Sequence, residues 1–337
     1  MPHAYDPARA SAQDPPQAVP LLGRVRVTRR GIQIALGVIW LLDGLLQFQS
    51  FMYSHAFITE VFAPAAKGQP GFIGGPMRTF QDFYGRDLTL WNTLAGEIQC
   101  AIGLGLIVSK RAVKPALLVS FLWALVVWWF GEGFGGLTSN TLPSPLMGAP
   151  GGVILYAIVG LLMWPTGRED GRSAADTGPL GDRGGLYVWS GLWALSAGLW
   201  LVNVNRAKGA TQEMIKGMAE GSPHWLAKVQ MSVANQAHGH GTTIAVVLAI
   251  VSLAVAIGVW TPMRSPALAI GIVISLAYWL LGQSLGGPFW IGNQTDVNAA
   301  PLFVLLALTL MPQATVARAH ERDAVHVRPP EQMVPAV

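Results

Sequence analysis

The stretch WWFGEGFGG, residues 128–136, decides how the rest of the chain is read, because it has a counterpart in WLLGQSLGG, residues 279–287. Trp128 falls over Trp279, Gly131 over Gly282, Glu132 over Gln283, and Gly135-Gly136 over Gly286-Gly287. The same offset pairs Pro115 with Pro266 and Pro150 with Pro301, and GVIWLLDG at 37–44 lies, slightly shifted, over GLWALSAG at 191–198. Self-similarity at a constant offset marks a repeated structural unit. The chain is therefore expected to be two related halves fused head to tail.

The composition says what kind of unit repeats. Of 337 residues, 52% are hydrophobic and only 12% are charged, whereas soluble domains carry roughly 25% charged residues. An integral membrane protein is expected. A helical span needs about 20 mostly apolar residues, and such stretches fall at 31–52, 91–109, 113–131, 147–165, 186–204, 241–260, 265–283 and 298–312. The expected fold is all-α, with eight transmembrane helices in two four-helix repeats, 31–165 and 186–312, joined by a linker at 166–185. The Pro- and Ala-rich N-terminal tail, 1–30, and the polar C-terminal tail, 313–337, read as disordered. The N-terminal segment has no short apolar core before a small-residue cleavage site, so it is not read as a signal peptide.

The net charge of +4 does not indicate nucleic acid, because the basic residues sit in short turns. Arg24, Arg26, Arg29 and Arg30 precede the first span, and Lys110, Arg111 and Lys114 fill the turn between the second and third. Arg168, Arg172 and Arg183 lie between the fourth and fifth, Arg264 between the sixth and seventh, and Arg318 and Arg322 follow the eighth. All fall on one side if the spans alternate. The positive-inside rule then puts both termini in the cytoplasm of a cell whose plasma (inner) membrane holds the protein. Each half has an even number of spans, so the repeats are parallel, related by an axis along the membrane normal. The only cysteine, Cys100, excludes an oxidoreductase that cycles its own cysteine pair.

Four spans with a long first outer loop, a short basic turn between spans 2 and 3 and a Gly-containing end to span 3 resemble the DoxX-like family, which includes the small membrane subunit of thiosulfate:quinone oxidoreductase. The likeness covers both halves and is one of architecture. It implies a membrane subunit that works beside a redox partner.

Few ionisable groups enter the spans: Asp43, Glu97 and Glu132. A mid-helix carboxylate costs about 2.5–3.5 kcal/mol on insertion scales, so each needs a reason. At 1.5 Å per residue Asp43 lies about 13 Å below the outer end of its span, with Gln47 one turn above it; Glu97 lies near 9 Å, and Glu132 is at the rim. If the helices face one another these carboxyls form a polar staircase suited to proton relay, a quinone head group or a polar solute. Half 2 keeps the scaffold without the acids, with Ala197, Leu248 and Gln283 in the three places. Trp128 and Gln283 complete the candidate ligand-binding set with Gln47. The plainer alternative is that these side chains only fix helix packing.

The second long loop holds Met214, Met218, His238 and His240, residue types that suit copper but also suit a helix lying on the membrane surface. No histidine falls within a span, which speaks against a haem held between two transmembrane histidines. Asp296 is expected only to cap the last span. Three functions stay open: a subunit supporting quinone-linked electron or proton transfer, a permease for a small solute or metal ion, and an assembly subunit without chemistry. The permease reading has against it the absence of evident helix breaks and the confinement of the acids to one half.

Overall fold

A computed structural model describes residues 27–168, 171–287 and 292–313; most of both expected tails lies outside them. All regular elements among the described residues are helical, and Val27–Pro312 forms one compact unit. The helices of eight residues or more are α1 (Arg29–Leu46), α2 (Gly71–Gly85), α3 (Leu88–Val108), α4 (Val113–Val126), α5 (Gly152–Leu162), α6 (Gly181–Leu201), α7 (Ala210–Glu220), α8 (His224–Gln236), α9 (Gly241–Gly258), α10 (Arg264–Gly282) and α11 (Ala299–Leu310). Local chemistry sets several starts. The Thr28 hydroxyl accepts from Gly31 N and the Asp87 carboxylate from Leu90 N, the usual work of N-cap residues. Pro115 and Pro266 each stand third in their helix, where a missing N–H costs nothing.

Among the described residues four helices are long and apolar enough to cross a membrane: α3, α4 with its extension to Gly131, α9 and α10. The expected spans at 147–165 and 298–312 need correction. Their helices, α5 and α11, have 11 and 12 residues and so extend about 16–18 Å, roughly half of a bilayer's hydrocarbon core. Both are largely buried among the other helices, as expected of helices apolar all round. Irregular backbone leads into each, and such backbone is stable at depth only where protein covers it or a cavity receives it.

Glycines bring α1 and α3 together. A Cβ on Gly103 would lie 2.7 Å from Gly37 O and Leu41 N, so the two backbones touch where side chains would hold them apart. In the second half α6 packs on α9, with Trp189 Nε1 donating to Val255 O and Ser190 Oγ to Ala256 O at 3.3 and 2.7 Å. Contacts at the two ends show that α1 runs antiparallel to α3, α5 and α11, and that α6 runs antiparallel to α5. At the basic end, Arg30 donates to Leu106 O and Ile107 O, and Gln33 donates to Met163 O. At the opposite, loop end, Gln47 donates to Thr295 O and Asn205 to Pro143 O.

The motif that opened the sequence has the same backbone in both copies. Gly133, Phe134, Gly135 and Gly136 all have positive φ, and so do Ser284, Leu285, Gly286 and Gly287. Four left-handed residues in a row need glycine wherever space allows it, because L side chains clash there. The copies differ just before this turn. Residues Val127–Gly131 form a π-helical turn closed by Glu132 N donating to Val127 O at 2.9 Å, whereas α10 stays α-helical to Gly282.

The basic end is fastened by Arg264, which donates to both Asp182 oxygens at 2.7 and 2.6 Å and to Leu310 O. Burial pushes the Asp182 carboxyl up, but hydrogen bonds from Arg264 and Ser173 more than offset this and hold it below its ordinary value. A depressed folded-state value means stabilisation that is complete above the unfolded value, about pH 3.9, and lost as pH falls through the folded one. Asp182→Asn should cost roughly 1.5–3 kcal/mol at neutral pH. Unfolding midpoints in detergent between pH 3 and 7 test this: part of the wild-type acid sensitivity should vanish in the variant, and parallel curves would refute the linkage.

Candidate functional site

At the loop end of the first half, α1, the segment 55–66, α2, α3, α4 with its extension, α5 and the chain before α11 line a cavity of about 170 Å³. Its walls include Trp40, Phe57, Phe62, Phe80, Trp123 and Phe130, and its polar groups include Asp43, Gln47, Gln99, Glu132, Tyr156 and Asp296. Among the described residues no Lys, Arg or His lines it. An engineered apolar cavity near 150 Å³ holds benzene, so this one has room for a single ring.

Asp43 stands at the bottom, 2% exposed. Its Oδ2 accepts a hydrogen bond from the Tyr156 hydroxyl of α5, and its Oδ1 accepts from Val297 N at 3.1 Å. One carboxyl thus ties α1 to α5 and to the segment preceding α11. Gln47, a turn later, donates to Asp43 O and to Thr295 O at 3.2 and 2.8 Å, and Asn92 of α3 donates to Gln47 O. Trp40 packs on Tyr156 with ring centroids 4.2 Å apart and donates to Ser120 Oγ at 3.0 Å.

Glu132 follows the π-helical turn. Its Oε1 accepts from Val153 N at 3.1 Å, capping the start of α5, and Gly152 N also faces the carboxylate, while Oε2 is out of contact with solvent and has no partner within hydrogen-bond geometry. The carboxyl lies flat against Gly151, where a Cβ would be 2.2 Å from Oε2. Trp123 Nε1 is a second buried polar atom without a partner among the residues lining this cavity. Asp296 accepts from Asn298 N at 2.6 Å and from Thr295 Oγ1 at 3.1 Å.

Glu97 is not part of this arrangement. It is exposed on the face of α3 that also exposes Leu90, Leu94 and Leu104, so the expected staircase through Glu97 is corrected. Helix position alone gave its depth; the rotation of α3 about its axis points it outward. Glu97→Gln should leave ligand affinity in the cavity within about 0.5 kcal/mol of wild type, read by titration of cavity tryptophan fluorescence. A larger loss would return Glu97 to the site.

Gln283 lies apart from the cavity and does in half 2 what Glu132 does in half 1. Its Oε1 accepts from Ala300 N at 3.2 Å and so caps α11, and its amide donates to Leu146 O at 3.4 Å. Trp128 and Trp279 also act alike, donating to Pro150 O and Val297 O, both at 3.0 Å. Trp128 is thus a tie for the loop, outside the cavity wall. By these bonds Pro150 matches Val297, so the sequence pairing of Pro150 with Pro301 does not carry into the structure.

Tyr156 and Asp296 join the site against expectation. Tyr156 is the only hydroxyl in the run GVILYAIVGLL, and Asp296 the only acid between Leu285 and the end of α11; those were the available signals. In the second long loop, His238 pairs with Gln212 and Met214 packs against the core around Trp200 and Ile215. Among the described residues no group of three His, Cys, Asp or Glu side chains is placed to hold a metal ion.

No family model matches the chain, and neither a curated protein nor a solved structure does.

Proposed function

We propose that this is an eight-segment integral membrane protein of the plasma membrane whose first half binds the ring of a quinone or quinol in the aromatic cavity. It would serve as a DoxX-like subunit supporting quinone-linked electron or proton transfer beside a partner that carries the redox centre. The observation that carries the reading is the pairing of a ring-sized aromatic cavity with two unsatisfied polar groups: the Trp123 N–H, which can donate to a quinone oxygen, and Glu132, which can accept from a quinol hydroxyl. Buried polar atoms without partners are uncommon, and one ligand with oxygens on a flat apolar ring answers both. The shared left-handed turns and matched capping bonds support two parallel repeats; in this reading α1 and α6 cross beside the four long apolar helices, and the two short ones half-cross. With the basic end cytoplasmic, the cavity faces outward.

The test is a titration of the purified protein with a short-chain benzoquinone, following tryptophan fluorescence, alongside native mass spectra of protein released from its own membranes. Saturable quenching and a bound quinone mass are expected; neither would appear if the reading is wrong. Trp123→Phe keeps the ring and removes the N–H, and should weaken binding by about 0.5–1.5 kcal/mol, up to about ten-fold. Unchanged affinity would take Trp123 out of the site.

A permease reading also gains an observation. The short helices α5 and α11 leave irregular backbone beside the buried Asp43, and Asp296 brings an acid from the second half. Both objections raised by the sequence are thereby removed, and solute sites in transporters often lie at such helix breaks. Uptake of a solute into vesicles without a redox partner, lost in Asp43→Asn, would favour it.

A further inference from the structure

A second cavity, about 240 Å³, lies on the other side of Glu132 and Asp296. It is lined by loop backbone and small polar groups at the loop end, among them Ser144, Gly148, Gly152 and Asn298. Glu132 and Asp296 line both this vestibule and the aromatic cavity. Glu132 and Asp296 keep a minor part of their surface exposed although their carboxyls are surrounded by protein, whereas Asp43 and its partner Tyr156 are each 2% exposed. The two chambers differ in kind as well. Bulky aromatic rings wall the inner one, and none lines the vestibule.

We infer that Glu132 and Asp296 form a proton-exchange partition between the ligand cavity and water at the loop end. The inference rests on the aromatic cavity being a ligand site. A carboxylate in this position takes the proton of a ligand hydroxyl: the ligand O–H bond breaks, a carboxyl O–H forms, and no electron moves. The proton then leaves to water in the vestibule and restores the carboxylate. Two such transfers, with two electrons passed to the acceptor centre of the redox partner, convert a quinol to a quinone in balance. Asp43 takes no part in this exchange, because both its oxygens are already held by Tyr156 and Val297. Glu132 has the oxygen without a hydrogen-bond partner; Gly151 lies against that oxygen, so release of its proton to the vestibule requires this contact to part.

Carbodiimide labelling of the wild-type full chain in nanodiscs tests the partition without any ligand. A water-soluble carbodiimide is added with an amine nucleophile, and modified peptides are quantified by mass spectrometry; exposed Glu60 is the internal control. Glu132 or Asp296 is expected to react at least about ten-fold faster than Asp43, and a lipid-soluble carbodiimide should also reach Glu132. Modification of Glu60 with both Glu132 and Asp296 untouched would overturn the inference. So would labelling of Asp43 as fast as Glu132, which would mean one continuous water space. Since no quinone is present, failure here is separate from failure of the quinone titration: quinone binding with an unlabelled partition leaves the cavity reading standing and removes only the proton route.

Discussion

Asp43→Ala should destabilise the protein by roughly 2–6 kcal/mol and abolish ligand binding in the aromatic cavity. The substitution leaves the Tyr156 hydroxyl and the Val297 N–H buried without partners, and each such orphan costs about 1–3 kcal/mol. The loss of ligand binding has a separate cause. Val297 and Thr295 belong to the segment that closes the cavity, and Asp43 together with Gln47 holds that segment to α1. Asp43→Asn separates charge from geometry. Its carbonyl oxygen can still accept one hydrogen bond, but its NH₂ cannot accept the other, so about half of the loss should remain. Tyr156→Phe removes one partner of the same contact and should be milder than Asp43→Ala, since its ring still packs on Trp40. Equilibrium unfolding in detergent with the fluorescence titration measures both effects. A loss under about 0.5 kcal/mol in Asp43→Ala would show that Asp43 does not tie these three segments together.

Gly135→Ala should be nearly as damaging, although it adds only a methyl group. That Cβ would lie 1.8 Å from Pro150 O, at a residue with φ of +61°. The obstacle is backbone of the next loop rather than the end of a flexible side chain, so the loops must part. A left-handed alanine costs about 1–2 kcal/mol and forced repacking about 1–3 more, which together give roughly 2–5 kcal/mol. The displaced segment, Pro150 to Val153, carries the Trp128 tie and the N–H that Glu132 caps; the partition should therefore open and Glu132 labelling rise. Gly136→Ala is the control. It shares the positive φ, but its Cβ would stand 3.4 Å from Pro143 Cβ, an ordinary contact, so it should cost only the conformational part. Equal losses in the two variants would mean that backbone conformation alone, without the loop crossing, accounts for the effect.

Both predictions turn on residues whose place could be read in part beforehand. Asp43 was legible as a carboxyl in an apolar helix, and the glycines after Glu132 were legible as a turn because they recur after Gln283. A repeated motif and a 3.6-residue apolar period are properties of the chain taken locally, so the all-helical architecture and the matched turns needed nothing more. The length of the fourth and eighth segments was not legible. Hydropathy counts apolar residues whether they lie in helix or in loop, so Met147 and Ala149, which stand in the turn before α5, were counted with the helix they precede.

The sequence by itself determined the helical class, the likeness of the two Gly-rich motifs, the clustering of basic residues in short turns and the presence of carboxyls at Asp43 and Glu132 within apolar stretches. Only the tertiary structure decided which side chains share a cavity. It turned Glu97 outward, because a rotation of α3 about its axis is set by the Gly103 contact with α1 rather than by hydropathy. It brought in Asp296, 253 positions after Asp43, because α11 is short and the chain before it descends to offer Val297 N to the buried carboxyl. Contacts between residues so far apart in sequence depend on how helices pack, and no local pattern records that.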